Sequence, residues 1–71
     1  MKAQGIANPQ HLTKRLYSIT EAAHYLGRSV WSIRELLWKG SIPYVKYGKR
    51  IHLDIKDLNL FIEKNKVQSL I

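Results

Sequence analysis

Between Leu26 and Val30 the chain ends one helix and begins another within three residues, Gly27, Arg28 and Ser29, and this punctuation constrains everything around it. Upstream, Ser18-Ile19-Thr20-Glu21 has the capping-box pattern: the serine oxygen accepts a backbone N–H and the glutamate reaches back to the cap. Ile19, Ala22, Ala23 and Leu26 follow at i, i+3, i+4 and i+7 as one apolar stripe. Gly27 then supplies the left-handed residue that commonly ends a helix. Downstream, Ser29 is a second N-cap, Val30 to Lys39 carries the inward stripe Ile33, Leu36 and Leu37, and Gly40 with Pro43 closes it. Two short amphipathic helices joined so tightly are expected to cross steeply and not to lie side by side.

The period then changes. From Ile42 to Leu53, Val45 and Tyr47 alternate with Tyr44 and Lys46, Gly48-Lys49 offers a turn, and Ile51 and Leu53 alternate with Arg50 and His52. This predicts a two-stranded hairpin in which Tyr47, sharing its alternation with Val45, packs against the helix that follows. Asp54 can cap that third helix, where Ile55, Leu58, Phe61 and Ile62 sit at helical spacing, and which should end near Asn65. Residues 1–15 lack periodicity, contain Gly5, Asn8 and Pro9, and end in Lys14-Arg15, so they read as a flexible basic arm. The predicted fold class is therefore mainly α with a small β-hairpin: three helices and a two-stranded wing over residues 16–65, then a tail over 66–71.

A chain of 71 residues has room for one domain. Lysine and arginine outnumber acidic residues 12 to 5, a formal charge of +7, so the field around so small a body attracts polyanions. Nucleic acid and an anionic membrane are the natural partners, and the membrane is disfavoured because no helix is both long and basic enough and no apolar run approaches spanning length. Cysteine is absent, which excludes a disulfide framework and a thiolate zinc site. His11, His24 and His52 are dispersed, and Glu21 with His24 is the only helical pair resembling metal ligands. No nucleophile, base and orienting residue recur at a useful spacing, so neither an enzyme, a cofactor nor a small-molecule ligand is expected. Without a secretory signal the expected setting is the cytoplasm.

The order helix, tight turn, helix, basic hairpin, helix resembles the MerR-like winged helix-turn-helix, and most closely the excisionase-type DNA-binding domains of mobile elements. The residues that carry the likeness are Tyr17-Ser18-Ile19-Thr20-Glu21-Ala22-Ala23 leading to Leu26-Gly27, then Ser29, Ser32-Ile33 and Leu36-Leu37, then Gly40-Ser41-Ile42-Pro43, Gly48-Lys49-Arg50, and Asp57-Leu58. The resemblance implies double-stranded DNA as the partner, with the second helix in the major groove and the wing at the neighbouring minor groove or backbone. It further implies an architectural role in recombination, with an integrase or further copies of the protein alongside it on DNA. A prokaryotic, nucleoid-associated protein that is monomeric when free fits that picture. A small transcriptional regulator of the same fold is one alternative, although no long dimerising helix or effector domain follows the third helix as in full MerR regulators, and a protein-interaction adaptor using the Trp31 and Trp38 face is a second.

The residues themselves point the same way. With Ile33, Leu36 and Leu37 inward, the second helix turns Trp31, Arg34, Glu35 and Trp38 outward, and Arg34 can reach guanine O6 and N7 bidentately. Arg28, Ser29 and Ser32 stand near the helix start, where phosphates are bound. Lys46, Lys49 and Arg50, with His52 nearby, make the wing positive. The candidate DNA-binding set is thus Arg28, Ser29, Trp31, Ser32, Arg34, Trp38, Lys46, Lys49 and Arg50. Two departures from the family stand out: it commonly has a small apolar residue where Arg28 stands, and polar or basic residues near Trp31 and Trp38. Three roles suit those two rings: contact with thymine methyls and sugars, a patch for another protein, or one ring wrapped into the core.

Overall fold

Ser18 serves two elements at once. It ends a short strand and, at φ −69° and ψ 169°, caps the first helix, its side chain accepting the Glu21 N–H while Glu21 takes the Ser18 N–H. A computed structural model describes residues 14–68. The elements run β1 (Leu16–Ser18), α1 (Ile19–Leu26), α2 (Val30–Trp38), β2 (Val45–Tyr47), β3 (Arg50–Asp54) and α3 (Ile55–Lys64). Of the arm predicted over residues 1–15 only Lys14 and Arg15 are described, and of the tail only residues 66–68.

The turn between α1 and α2 closes as the sequence requires. Gly27 is left-handed at φ 70°, and the Arg28 N–H reaches back to the Ala23 carbonyl at 2.8 Å. A residue with a Cβ is strained in that region, which is why glycine stands there. Ser29 and Asp54 cap α2 and α3 through their side chains, and Asn65 closes α3.

The sheet has one strand more than the hairpin read from the sequence. Its order is β1-β3-β2, all antiparallel, with β3 in the centre. Tyr17 lies opposite Leu53 on one edge, and Lys46 lies opposite Ile51 on the other. Opposed residues share a face, so Tyr17, Ile51 and Leu53 look toward the helices while Val45, Tyr47, Arg50 and His52 look away. The expectation that Tyr47 packs against the third helix is therefore corrected: it is 81% exposed. The two-residue turn puts it directly across from Arg50, and once Ile51 points inward both must point outward.

The core that holds these elements consists of Ala22, Ala23, Ile33, Leu37, Ile42, Leu53 and Leu58, with Tyr17, Ile19, Leu26, Leu36, Ile51, Ile55 and Phe61 packed around it. Alanines on α1 let α2 approach closely, and the larger Ile33, Ile42, Leu53 and Leu58 fill the remaining space. Tyr25 donates from its hydroxyl to Asn59 Oδ1 at 2.6 Å, tying α1 to α3. The backbone of β1 is held at its start, where the Ile55 N–H donates to the Arg15 carbonyl at 2.8 Å.

Candidate nucleic-acid interface

Three of the residues singled out in the sequence meet at the start of α2. Ser29 Oγ accepts the Ser32 N–H at 3.0 Å, and the two serine hydroxyls share a hydrogen bond of 2.9 Å. The Arg28 guanidinium reaches Ser32 Oγ at 3.4 Å, which sets a positive charge beside the first turn of the helix, where the peptide dipoles already favour an anion. A cation, hydroxyls and helix N–H groups in one place suit a phosphate oxygen.

Farther along α2, Ile33 and Leu37 are buried. With residues about 100° apart around the axis, the opposite side carries Trp31, Glu35 and Trp38, and Arg34 occupies its shoulder. Neither tryptophan wraps into the core: Trp31 is 59% and Trp38 67% exposed. Their rings, two turns apart in sequence, lean together edge to face with centroids 5.2 Å apart and planes at 81°. That arrangement is a preferred one for aromatic pairs and limits the freedom of both rings.

The wing presents its cations on both faces and at its tip. Lys49 lies in the turn after Gly48, whose φ is 63°. Arg50 shares the outward face with Tyr47, while Lys46 projects from the opposite face across from Ile51. All three cations are exposed. His52 is placed differently: it is half-buried between Ser18 and Val45, and its Nδ1 is covered without a partner among the described residues. Tyr47 is the residue at the wing tip that the sequence reading left out, and the signal that identifies it is its position three before Arg50 across a two-residue turn.

Three of the described cations are paired with carboxylates. Lys14 pairs with Glu21, Arg15 with Asp54 at 2.9 Å, and Lys66 with Glu63 at 2.9 Å. The Lys14 ammonium, and after it the Ser18 N–H, holds the Glu21 carboxyl below the ordinary glutamate range. The Arg15 guanidinium and the Lys56 N–H do the same for Asp54, which in turn raises the Arg15 guanidinium. Among the described residues the other eight cations pair with no carboxylate: Arg28, Arg34, Lys39, Lys46, Lys49 and Arg50 on α2, beside its ends or on the wing, and Lys56 and Lys64 on α3. From Leu36 to Leu53 the chain has no acidic residue at all. The described residues gather no group of three or more possible metal ligands, and no helix among them is long and apolar enough to cross a membrane.

The sequence profile of the helix-turn-helix domain family matches residues 16–66, a span that takes in every element from β1 to α3 and more than half of the chain. The chain belongs to the helix-turn-helix domain family. In this helix-turn-helix protein α1, the Gly27–Ser29 turn and α2 form the motif itself, and α3 with the sheet completes its core. DNA binding follows as the function of the family. No curated protein and no solved structure is similar enough to match.

Proposed function

We propose that this helix-turn-helix protein lays α2 in the major groove of double-stranded DNA, sets the β2–β3 wing against the adjacent minor groove or backbone, and acts as an excisionase-like architectural factor of a mobile element. The observation that supports the groove assignment is where unpaired charge gathers: six of the eight described cations without carboxylate partners, Arg28, Arg34, Lys39, Lys46, Lys49 and Arg50, lie on α2, beside its ends or on the wing, and only Lys56 and Lys64 lie on α3. On this reading Arg28, Ser29 and Ser32 hold phosphates at the helix start, and Arg34 reaches a guanine edge. Lys46 and Lys49 meet phosphates, and Arg50 enters the narrow groove. The architectural role rests on the resemblance carried by Tyr17–Ala23, Gly40–Pro43 and Gly48–Arg50. It implies cooperation with an integrase, or with further copies of the protein, because one recognition helix supplies limited affinity by itself. A prokaryotic cytoplasm, with the protein on the nucleoid, is the setting this role implies.

The test is a titration of labelled duplexes from the regions flanking the protein's own gene, read by footprinting and by end-to-end energy transfer. Several adjacent protected sites with a protein-induced bend, lost in Lys49→Ala/Arg50→Ala, support the architectural reading. A single unbent site over a promoter supports instead a transcriptional regulator of the same fold. Weak binding that is indifferent to sequence and salt removes both.

A further inference from the structure

The outward ridge of α2 is the part of the surface that a phosphate-binding role leaves unexplained. It carries two indoles and a carboxylate, Glu35, with Arg34 on one shoulder and Lys39 just past its end. A surface built to hold phosphates has the opposite composition. The exposed area of the two rings is on the order of 300 Å², against about 800 Å² per partner in a standard protein interface. On α2 itself the ridge includes Glu35 and is bordered by Ser32 and Arg34, so it does not widen into a larger apolar face along the helix. What it fits is a polar cleft wide enough for a helix, with one apolar feature in its floor.

The major groove is such a cleft, and its one apolar feature is the thymine 5-methyl group, next to the O4 acceptor of the same base. An indole matches that pair of groups, with an apolar ring face beside an N–H donor. Neither indole N–H donates to a protein acceptor among the described residues. The edge-to-face contact holds the two rings as one unit before any DNA arrives, so little freedom is lost when a base is engaged. Resting on the reading that α2 enters the major groove, we infer that Trp31 and Trp38 together are a thymine-reading element. They seat the 5-methyl of a thymine lying close to the base taken by Arg34. Two helical turns separate the two residues, about 10 Å, which limits the element to roughly three base pairs.

The experiment uses the whole protein and two random-sequence duplex pools, one carrying thymine and one carrying uracil, which lacks only the 5-methyl. Selection from the thymine pool should yield a site with a thymine within three base pairs of the position whose preference Arg34→Ala relaxes. Replacing that thymine by uracil should weaken wild-type binding about fourfold, the effect of one buried methyl. Trp31→Ala/Trp38→Ala should bind the two duplexes equally, and since both rings are exposed its thermal melt should match wild type. Salt-sensitive wild-type binding that ignores the methyl overturns the inference, leaves DNA binding standing and returns the rings to a protein partner. A uracil penalty that persists in the double variant also overturns it. Failure to select any site from either pool removes the groove reading itself.

Discussion

Neutralising the wing should change how binding depends on salt, and by an amount the structure sets. Of the six described cations without carboxylate partners on α2, beside its ends and on the wing, Lys39 at the far end of α2 is not assigned to DNA and five are, namely Arg28, Arg34, Lys46, Lys49 and Arg50. If each displaces one condensed counterion, the slope of log affinity against log salt is about −4.5, and affinity falls roughly 500-fold between 50 and 200 mM salt. Lys46→Ala/Lys49→Ala/Arg50→Ala removes the wing's share, so the slope should relax to about −1.8 and the loss over the same range to roughly 12-fold. All three side chains are exposed, so the substitutions leave the core intact. Fluorescence anisotropy with a dye-labelled duplex at four or more salt concentrations measures both slopes. Parallel lines for wild type and variant would refute the placement of the wing on DNA, even if the variant bound more weakly throughout. A flat line for wild type would refute the whole electrostatic argument.

Three other outcomes are expected. Arg34→Ala should relax preference at one base position at a cost of about 1 to 3 kcal/mol, while Lys49→Ala should weaken all sequences alike; identical behaviour in a competition assay would contradict the separate roles given to helix and wing. Leu53→Ala empties a fully buried site on the central strand. It should cost about 2 to 5 kcal/mol of a total near 3 to 8 for a domain this size, measured by chemical denaturation, and a loss under about 1 kcal/mol would count against the core described above. Asp54 has its carboxyl held below the ordinary range by Arg15, so the pair stabilises the fold above the unfolded value near 3.9 and that contribution is lost as pH falls through the folded value. Asp54→Asn, which keeps a capping oxygen, should therefore melt below wild type at pH 7 and converge on it in acid; a gap that stays constant with pH would show that the charge does not matter.

The helices were readable because their ends are written in side-chain chemistry. Ser18, Ser29 and Asp54 cap, Gly27 and Gly40 stop, and the stripes between them have a clear period. The strand β1 was not readable, since Leu16-Tyr17-Ser18 is too short to show an alternation and its last residue also belongs to the capping box. Its presence depends on pairing with β3, thirty-odd residues away, and no local pattern records that. Tyr47 is a different kind of miss. Its orientation follows from the turn length and the inward pointing of Ile51, so register settles what alternation within one strand leaves open. For the candidate interface, the cations and their segments could be named from sequence. The mutual contact of Trp31 and Trp38 could not, because it depends on how the rings lean and not on where they are attached.

The short strand β1 also decides how stiff the wing is along its length. At His52 the central strand has a neighbour on each side, Ser18 and Val45, but beyond it only the pairs Ile51–Lys46 and Arg50–Tyr47 remain, closed by the turn. A two-stranded ribbon is pliable where a three-stranded sheet is not. The wing is thus a firm base with a compliant tip, and the compliant part extends roughly 10 Å at about 3.4 Å per residue, close to the depth of a minor groove near 7.5 Å. Such a tip can follow a groove whose width changes as the duplex bends, while its root keeps a fixed position relative to α2.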